Sequence, residues 1–208
     1  MTLTRERFIF EDMNIMLRRR LKGLYPDGAG ARQVARRMCR GGAENLMNVH
    51  ESIVLWAVAR QYNFPGANFL EIGTYRGCSC AILAQAAPLA KIKTLEINEE
   101  FALSAQEDLA NLTNVTVLNL SSADYLNSYS GQEFDLIFID GDHRHVELDL
   151  PWWDYVAPGG VMLFHDYTVG LFDDLVAIVN SFMTRLGKTF DIYVMATDTN
   201  RGFVGVYK

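Results

Sequence analysis

The sequence predicts an α/β fold built on a mostly parallel sheet. Three observations lead there. From residue 68 onward, strand-like and helix-like patterns alternate. The first strand-like run ends in a glycine turn, Glu71-Ile72-Gly73-Thr74-Tyr75-Arg76-Gly77, which opens a helix-like stretch. Near the end, two β-rich runs at 191–196 and 203–207 flank a polar turn, the pattern of an antiparallel hairpin.

The elements follow in order. Residues 1–22 read as a helix, with Phe8, Met13, Met16 and Leu17 among charges. A Pro/Gly break at 25–30 separates it from a second helical stretch at 30–39, and a third covers 48–62. Strands are expected at 68–72, 91–97, 114–119, 134–140 and 160–165, with helices near 78–87, 99–110, 144–156 and 170–186. This divides the chain into a helical extension, 1–45, and an α/β domain, 46–208.

A length of 208 residues suits a single core. No apolar run approaches the roughly 18 residues of a membrane span. The first residues lack the apolar segment of a secretory leader. Cys39, Cys78 and Cys80 form no C-x-x-C pair and read as reduced thiols of a cytoplasmic protein. The net charge of −6 is uneven: residues 1–40 hold ten Lys/Arg against four Asp/Glu, or +6, leaving −12 for the remainder. The basic segment reads as a solvated face, a docking or homodimer contact, or an attractor for an anionic substrate. No aromatic-basic motif accompanies the arginines, which argues against nucleic acid.

Ligands of open α/β sheets gather beyond the carboxyl ends of the strands. Glu71, Gly73, Thr74, Tyr75 and Gly77 follow the first strand, Glu96 and Ile97 the second, Ser122 and Ala123 the third, and Asp140 the fourth. Glycine permits a sharp turn and close approach of a ligand. Glu96 lies 25 residues beyond Glu71, close to the spacing of a ribose-binding acid. Two carboxylates repel a pyrophosphate, whereas they attract a cationic nucleoside.

The pattern Glu71-x-Gly73-x-x-x-Gly77 resembles motif I of class I S-adenosylmethionine-dependent methyltransferases. The resemblance implies a Rossmann-like sheet of order 3-2-1-4-5-7-6 with the hairpin last. It further implies S-adenosyl-L-methionine as cofactor, with adenine beside Ser122 and Ala123.

The ends of the fourth and fifth strands carry the chemistry. Asp140 closes one; His165 and Asp166 close its neighbour after Pro158-Gly159-Gly160. Adjacent strands lie about 4.8 Å apart, so the three side chains can converge as a divalent-metal site, carboxylates suiting Mg²⁺. The run Ile139-Asp140-Gly141-Asp142-His143, then Trp152-Trp153, then 158–167, resembles the macrocin-type small-molecule O-methyltransferases, a family that includes cephalosporin-hydroxylase-like proteins. That resemblance implies a small-molecule hydroxyl acceptor, a Mg²⁺ ion at the positions of Asp140, His165 and Asp166, and His143 as general base. His165 departs from the family's acidic pattern; imidazole suits Mn²⁺, Fe²⁺ or Zn²⁺ better than Mg²⁺. His143 and His145 can instead cap a helix or ligate metal. Trp152, Trp153 and Tyr167 wall an acceptor pocket or pack the core. Two rivals remain: a cofactor-binding module without turnover, acting through the basic segment, and a same-fold enzyme of another reaction.

Overall fold

A computed structural model describes residues 47, 49–188, 190–194 and 202–208. The helices expected within 1–45, the proposed boundary there and the hairpin turn lie outside the described residues.

The elements run α1 (Val49–Gln61), β1 (Asn68–Ile72), α2 (Cys78–Ala86), β2 (Lys91–Leu95), α3 (Glu99–Asp108), β3 (Val115–Leu118), α4 (Ser122–Ser128) and β4 (Phe134–Ile139). Two short 3₁₀ helices, His143–Leu148 and Leu150–Tyr155, lead into β5 (Val156–Phe164), α5 (Asp173–Leu186), β6 (Phe190–Val194) and β7 (Gly202–Tyr207). The seven strands form one sheet of order β3-β2-β1-β4-β5-β7-β6, as the motif I resemblance implies. The first five are parallel, and β7 runs antiparallel to both β5 and β6.

Strand side chains alternate between faces, and here both faces are covered. Phe69, Leu136, Phe138 and Leu163 pack with α1 and α2. Leu70, Ile137, Ile139 and Phe164 pack on the other side with Val176, Val179 and Phe182 of α5. The central strands β1, β4 and β7 are accordingly buried almost throughout. Among the described residues, no helix is long and apolar enough to cross a membrane.

Three local expectations change. The helix expected at 144–156 is two 3₁₀ turns, kinked at His145 (φ −131°) and restarted at Pro151. Proline lacks an N–H and clashes with the preceding helical turn, so one α-helix cannot run through it. The strand expected at 160–165 begins at Val156, and Pro158-Gly159-Gly160 lies within it, where the β4–β5 register shifts. An added helix, α4, starts after Ser121. The Ser121 hydroxyl accepts from the Asp124 N–H at 3.0 Å and donates to the Asp124 carboxylate at 2.6 Å, a capping arrangement.

Register sets the functional edge. Ile72 pairs with Leu95 and Ile139, Leu95 with Leu118, and Ile139 with Phe164. These five residues form one row across five strands. One step further along lie Gly73, Glu96, Asn119, Asp140 and His165, which therefore share a single rim.

Candidate active site

A cavity of about 1050 Å³ opens at this rim. Gly73, Thr74, Tyr75, Glu96, Ile97, Ser122, Ala123, Asp140, His143, His165 and Asp166, all expected at a ligand, contribute to its lining.

The turn after β1 is held by its own amides. The Gly73 and Thr74 N–H groups both donate to the Leu95 carbonyl, at 3.0 and 3.1 Å. The Gly77 N–H donates to the Thr74 carbonyl at 2.8 Å, and the Tyr75 N–H to Glu96 Oε2 at 2.7 Å. A phosphate-binding loop keeps such donors free for its anion. Here they are consumed internally, and one is consumed by a carboxylate.

At both glycines the missing Cβ makes room for neighbouring protein groups. A Cβ on Gly73 (φ +98°) would stand 2.3 Å from the Asp140 carbonyl oxygen. On Gly77 (φ +84°) it would meet the Leu109 side chain at 2.8 Å. Gly77 lies off the cavity wall, and so does Glu71. Glu71 shares a strand face with Phe69, so it points beneath α2 and is wholly buried. Thr94 Oγ1 donates to it at 2.5 Å. Burial pushes its carboxyl up to about 7, against hydrogen bonds from Ser79 and Thr94.

Glu96 occupies the position expected of a ribose acid. It is 8 % exposed, and its second oxygen accepts the Asn98 N–H at 2.9 Å. Asn119, which the sequence reading did not single out, donates to the Glu96 carbonyl at 2.7 Å and braces the turn. Across the cavity, Ser122 Oγ accepts from Trp152 Nε1 at 2.9 Å.

At the ends of β4 and β5 two acid–imidazole couples form. His143 Nε2 lies 2.9 Å from Asp166 Oδ2. His165 Nδ1 lies 2.8 Å from Asp140 Oδ1 and 3.4 Å from Asp166 Oδ2. His165 is 3 % exposed, and its Nε2 faces Glu51 of α1 at 4.0 Å. Burial opposes its charge, but Asp140 and Asp166 hold the imidazole up to about 10. Burial also opposes charge on Asp166, yet His143 and His165 hold its carboxyl well below the usual range. Asp166 has φ +55°, a left-handed conformation costly for a residue with a Cβ and typical of functional sites.

The metal grouping therefore differs from the one expected. Asp140, His143 and Asp166 present ligand atoms within 4.8 Å of one another. His165 is spent behind them, its Nδ1 on Asp140 and its Nε2 turned toward α1. Phe172 packs on the His143 ring at 4.8 Å between centroids. His145 lines the cavity but is exposed, 3.9 Å from Glu147. Trp152, Trp153 and Tyr167 belong to the core rather than to an acceptor wall. Glu51 and Asp149, both buried, were not singled out from sequence; neither carries a motif, and only the fold brings them to this edge.

Comparison with known proteins agrees with this architecture. Residues 70–167 match a family model described as a methyltransferase domain. No curated protein matches the sequence. Among solved structures, the O-methyltransferase from Bacillus cereus, in complex with SAH, is similar at TM-score 0.66 and 22 % identity, covering 89 % of this chain and 93 % of that one. The O-methyltransferase TomG from Streptomyces achromogenes, involved in tomaymycin synthesis and in complex with SAM, gives 0.65 and 22 %, covering 86 % and 88 %. A SAM-dependent O-methyltransferase from Thermotoga maritima gives 0.65 and 16 %, covering 84 % and 70 %. At such identities the likeness establishes the fold. The chain therefore has the fold of the class I S-adenosylmethionine-dependent methyltransferases, and its central residues 70–167 are similar to the methyltransferase-domain model.

Proposed function

We propose that this protein is an S-adenosylmethionine-dependent O-methyltransferase acting on a small-molecule hydroxyl, with His143 as general base. One observation carries the reading: a single cavity joins Glu96, placed as a ribose acid, to the His143–Asp166 couple at 2.9 Å. The cavity is of a size that takes a nucleoside with an amino-acid tail and an acceptor beside it.

The residues fit the cofactor. Spent loop amides and the cavity-lining acid Glu96 favour a phosphate-free cationic nucleoside over a dinucleotide. Bound S-adenosylmethionine supplies an electrophilic methyl on a sulfonium, which leaves as S-adenosylhomocysteine once an acceptor oxygen has taken the methyl. Glu96 accepts from the ribose hydroxyls. Thr74, Tyr75 and Ile97 border that end, and Ser122 and Ala123 flank the base. Asp166 accepts the His143 Nε2–H, which leaves Nδ1 to take the acceptor's hydroxyl proton. Phe172 fixes the ring and keeps water from its face.

A divalent ion is a second reading, favoured by the 4.8 Å grouping of Asp140, His143 and Asp166. Two carboxylates and an imidazole fit Mn²⁺ or Fe²⁺ better than Mg²⁺. In that case Asp140, His143 and Asp166 would hold the ion, which would supply Lewis acidity toward the hydroxyl, and His143 would be a ligand rather than the base. The extension at 1–45 is proposed as the cover of the acceptor side or a homodimer contact, and the cytoplasm as the compartment.

The test is transfer of labelled methyl from S-adenosylmethionine to a panel of phenols, catechols and sugars. Transfer that survives chelator and falls in His143→Ala supports the base reading. Transfer abolished by chelator and restored by Mn²⁺ supports the metal reading. No turnover of any acceptor, with cofactor still bound, contradicts both and favours a binding module.

A further inference from the structure

Asp149 is a carboxylate without a role in the chemistry above. It stands between the two 3₁₀ helices, at the N-terminal cap position of the second, yet its side chain makes no capping bond. It is 6 % exposed and lines the cavity. Its Oδ2 lies over the backbone just beyond Asp140, 3.8 Å from where a Cβ on Gly141 would stand.

Its surroundings are specific. The Ser122 hydroxyl accepts from Trp152 Nε1 at 2.9 Å and stands beside the Asp149 carboxyl. Burial pushes the Asp149 carboxyl up to about 6, Ser122 opposes that rise, and Glu147 adds to it. Among the described residues no basic side chain pairs with it. A buried carboxylate facing a cavity without a cation is satisfied by an N–H donor from a ligand.

Glu96 and Ser122 define which donor that is. Ile97, Ser122, Ala123 and Asp149 line the same cavity as Glu96, and Ser122 interacts with Asp149, so a nucleoside with its ribose on Glu96 and its base against Ser122 would turn its base edge toward Asp149. Adenine presents an amino group at its 6-position; hypoxanthine presents a carbonyl oxygen there. We propose that Asp149 reads the 6-amino group of the cofactor's adenine, its geometry fixed by Ser122 and Trp152. This rests on the S-adenosylmethionine reading and deepens it. A carboxylate rejects the 6-oxo base, because two acceptors then face each other in a dry site.

Calorimetric titration of the whole protein with S-adenosylhomocysteine and with S-inosylhomocysteine tests this. The wild type is expected to bind the inosyl compound at least about tenfold more weakly, since a site built to accept a hydrogen bond rejects the analogue lacking the donor. Asp149→Asn, whose amide can donate to a carbonyl, should narrow that gap to about threefold or less, with its fold checked by circular dichroism. Equal binding of both compounds by the wild type overturns the proposal without any variant. So does a wild-type gap that a folded Asp149→Asn protein retains. Absence of S-adenosylhomocysteine binding by the wild type instead overturns the parent reading and this proposal with it.

Discussion

The Tyr75 backbone N–H donates to Glu96 Oε2 at 2.7 Å, tying the turn after β1 to the acid after β2. This bond both removes a phosphate donor and aims the carboxylate. Glu96→Ala should weaken S-adenosylhomocysteine binding at least about tenfold, from lost ribose bonds and a loosened turn. Calorimetry measures it; unchanged affinity would place the ribose elsewhere.

His143 and Asp166 make the chemical couple of the account. His143→Ala should lower kcat by about 10²- to 10⁴-fold, the usual range for a general base. Affinity for S-adenosylhomocysteine should change little if, as proposed, the imidazole serves the acceptor and not the cofactor. Equal losses in both quantities would assign His143 to cofactor binding.

Gly73 is confined by backbone. Gly73→Ala combines φ +98° with a 2.3 Å approach to the Asp140 carbonyl. The expected cost is about 3 kcal/mol or more, roughly 6–12 °C in Tm for a chain of this size. Gly159→Ala is the control: φ is +79° but nothing lies within 4 Å, so strain alone applies. That strain is about 1–2 kcal/mol. Thermal melts of both variants distinguish crowding from backbone strain.

Glu71 makes stability depend on pH. Its folded carboxyl, raised to about 7 from the ordinary 4.5, binds a proton more tightly than the unfolded chain does. Its contribution therefore favours folding most below about 4.5, declines as pH rises toward 7, and is flat above. Glu71→Gln removes that decline. The variant should gain on the wild type between pH 5 and pH 8 by on the order of 3 kcal/mol or less. Urea unfolding at the two values checks this; a pH-independent difference would mean the carboxyl titrates normally in the fold.

Much of this was legible in the residues. Alternating segments from residue 68, the final hairpin and the motif I likeness correspond to the observed strand order. The row from Ile72 to Phe164 bears out the expectation that strand ends share a rim. Side-chain partners were harder to read. Period-two alternation on β1 turns Glu71 away from the cavity, although its place beside the glycines suggested otherwise. The metal grouping also needed coordinates: Asp140 and His165 end neighbouring strands, but an Asp–His bond already joins them, and His143 reaches in from the next loop. Helix α4 did have a signal, the Ser121-x-x-Asp124 cap, overshadowed by reading the segment only as a ligand turn. Asp149 had none, since its position depends on how two 3₁₀ turns fold back over Gly141.

The most direct measurement is calorimetric titration of the wild-type protein with S-adenosylhomocysteine and, separately, with NAD. One-to-one binding of the first and none of the second is expected, because the spent loop amides and Glu96 leave no place for a pyrophosphate. Binding of NAD, or no heat with S-adenosylhomocysteine, would contradict it.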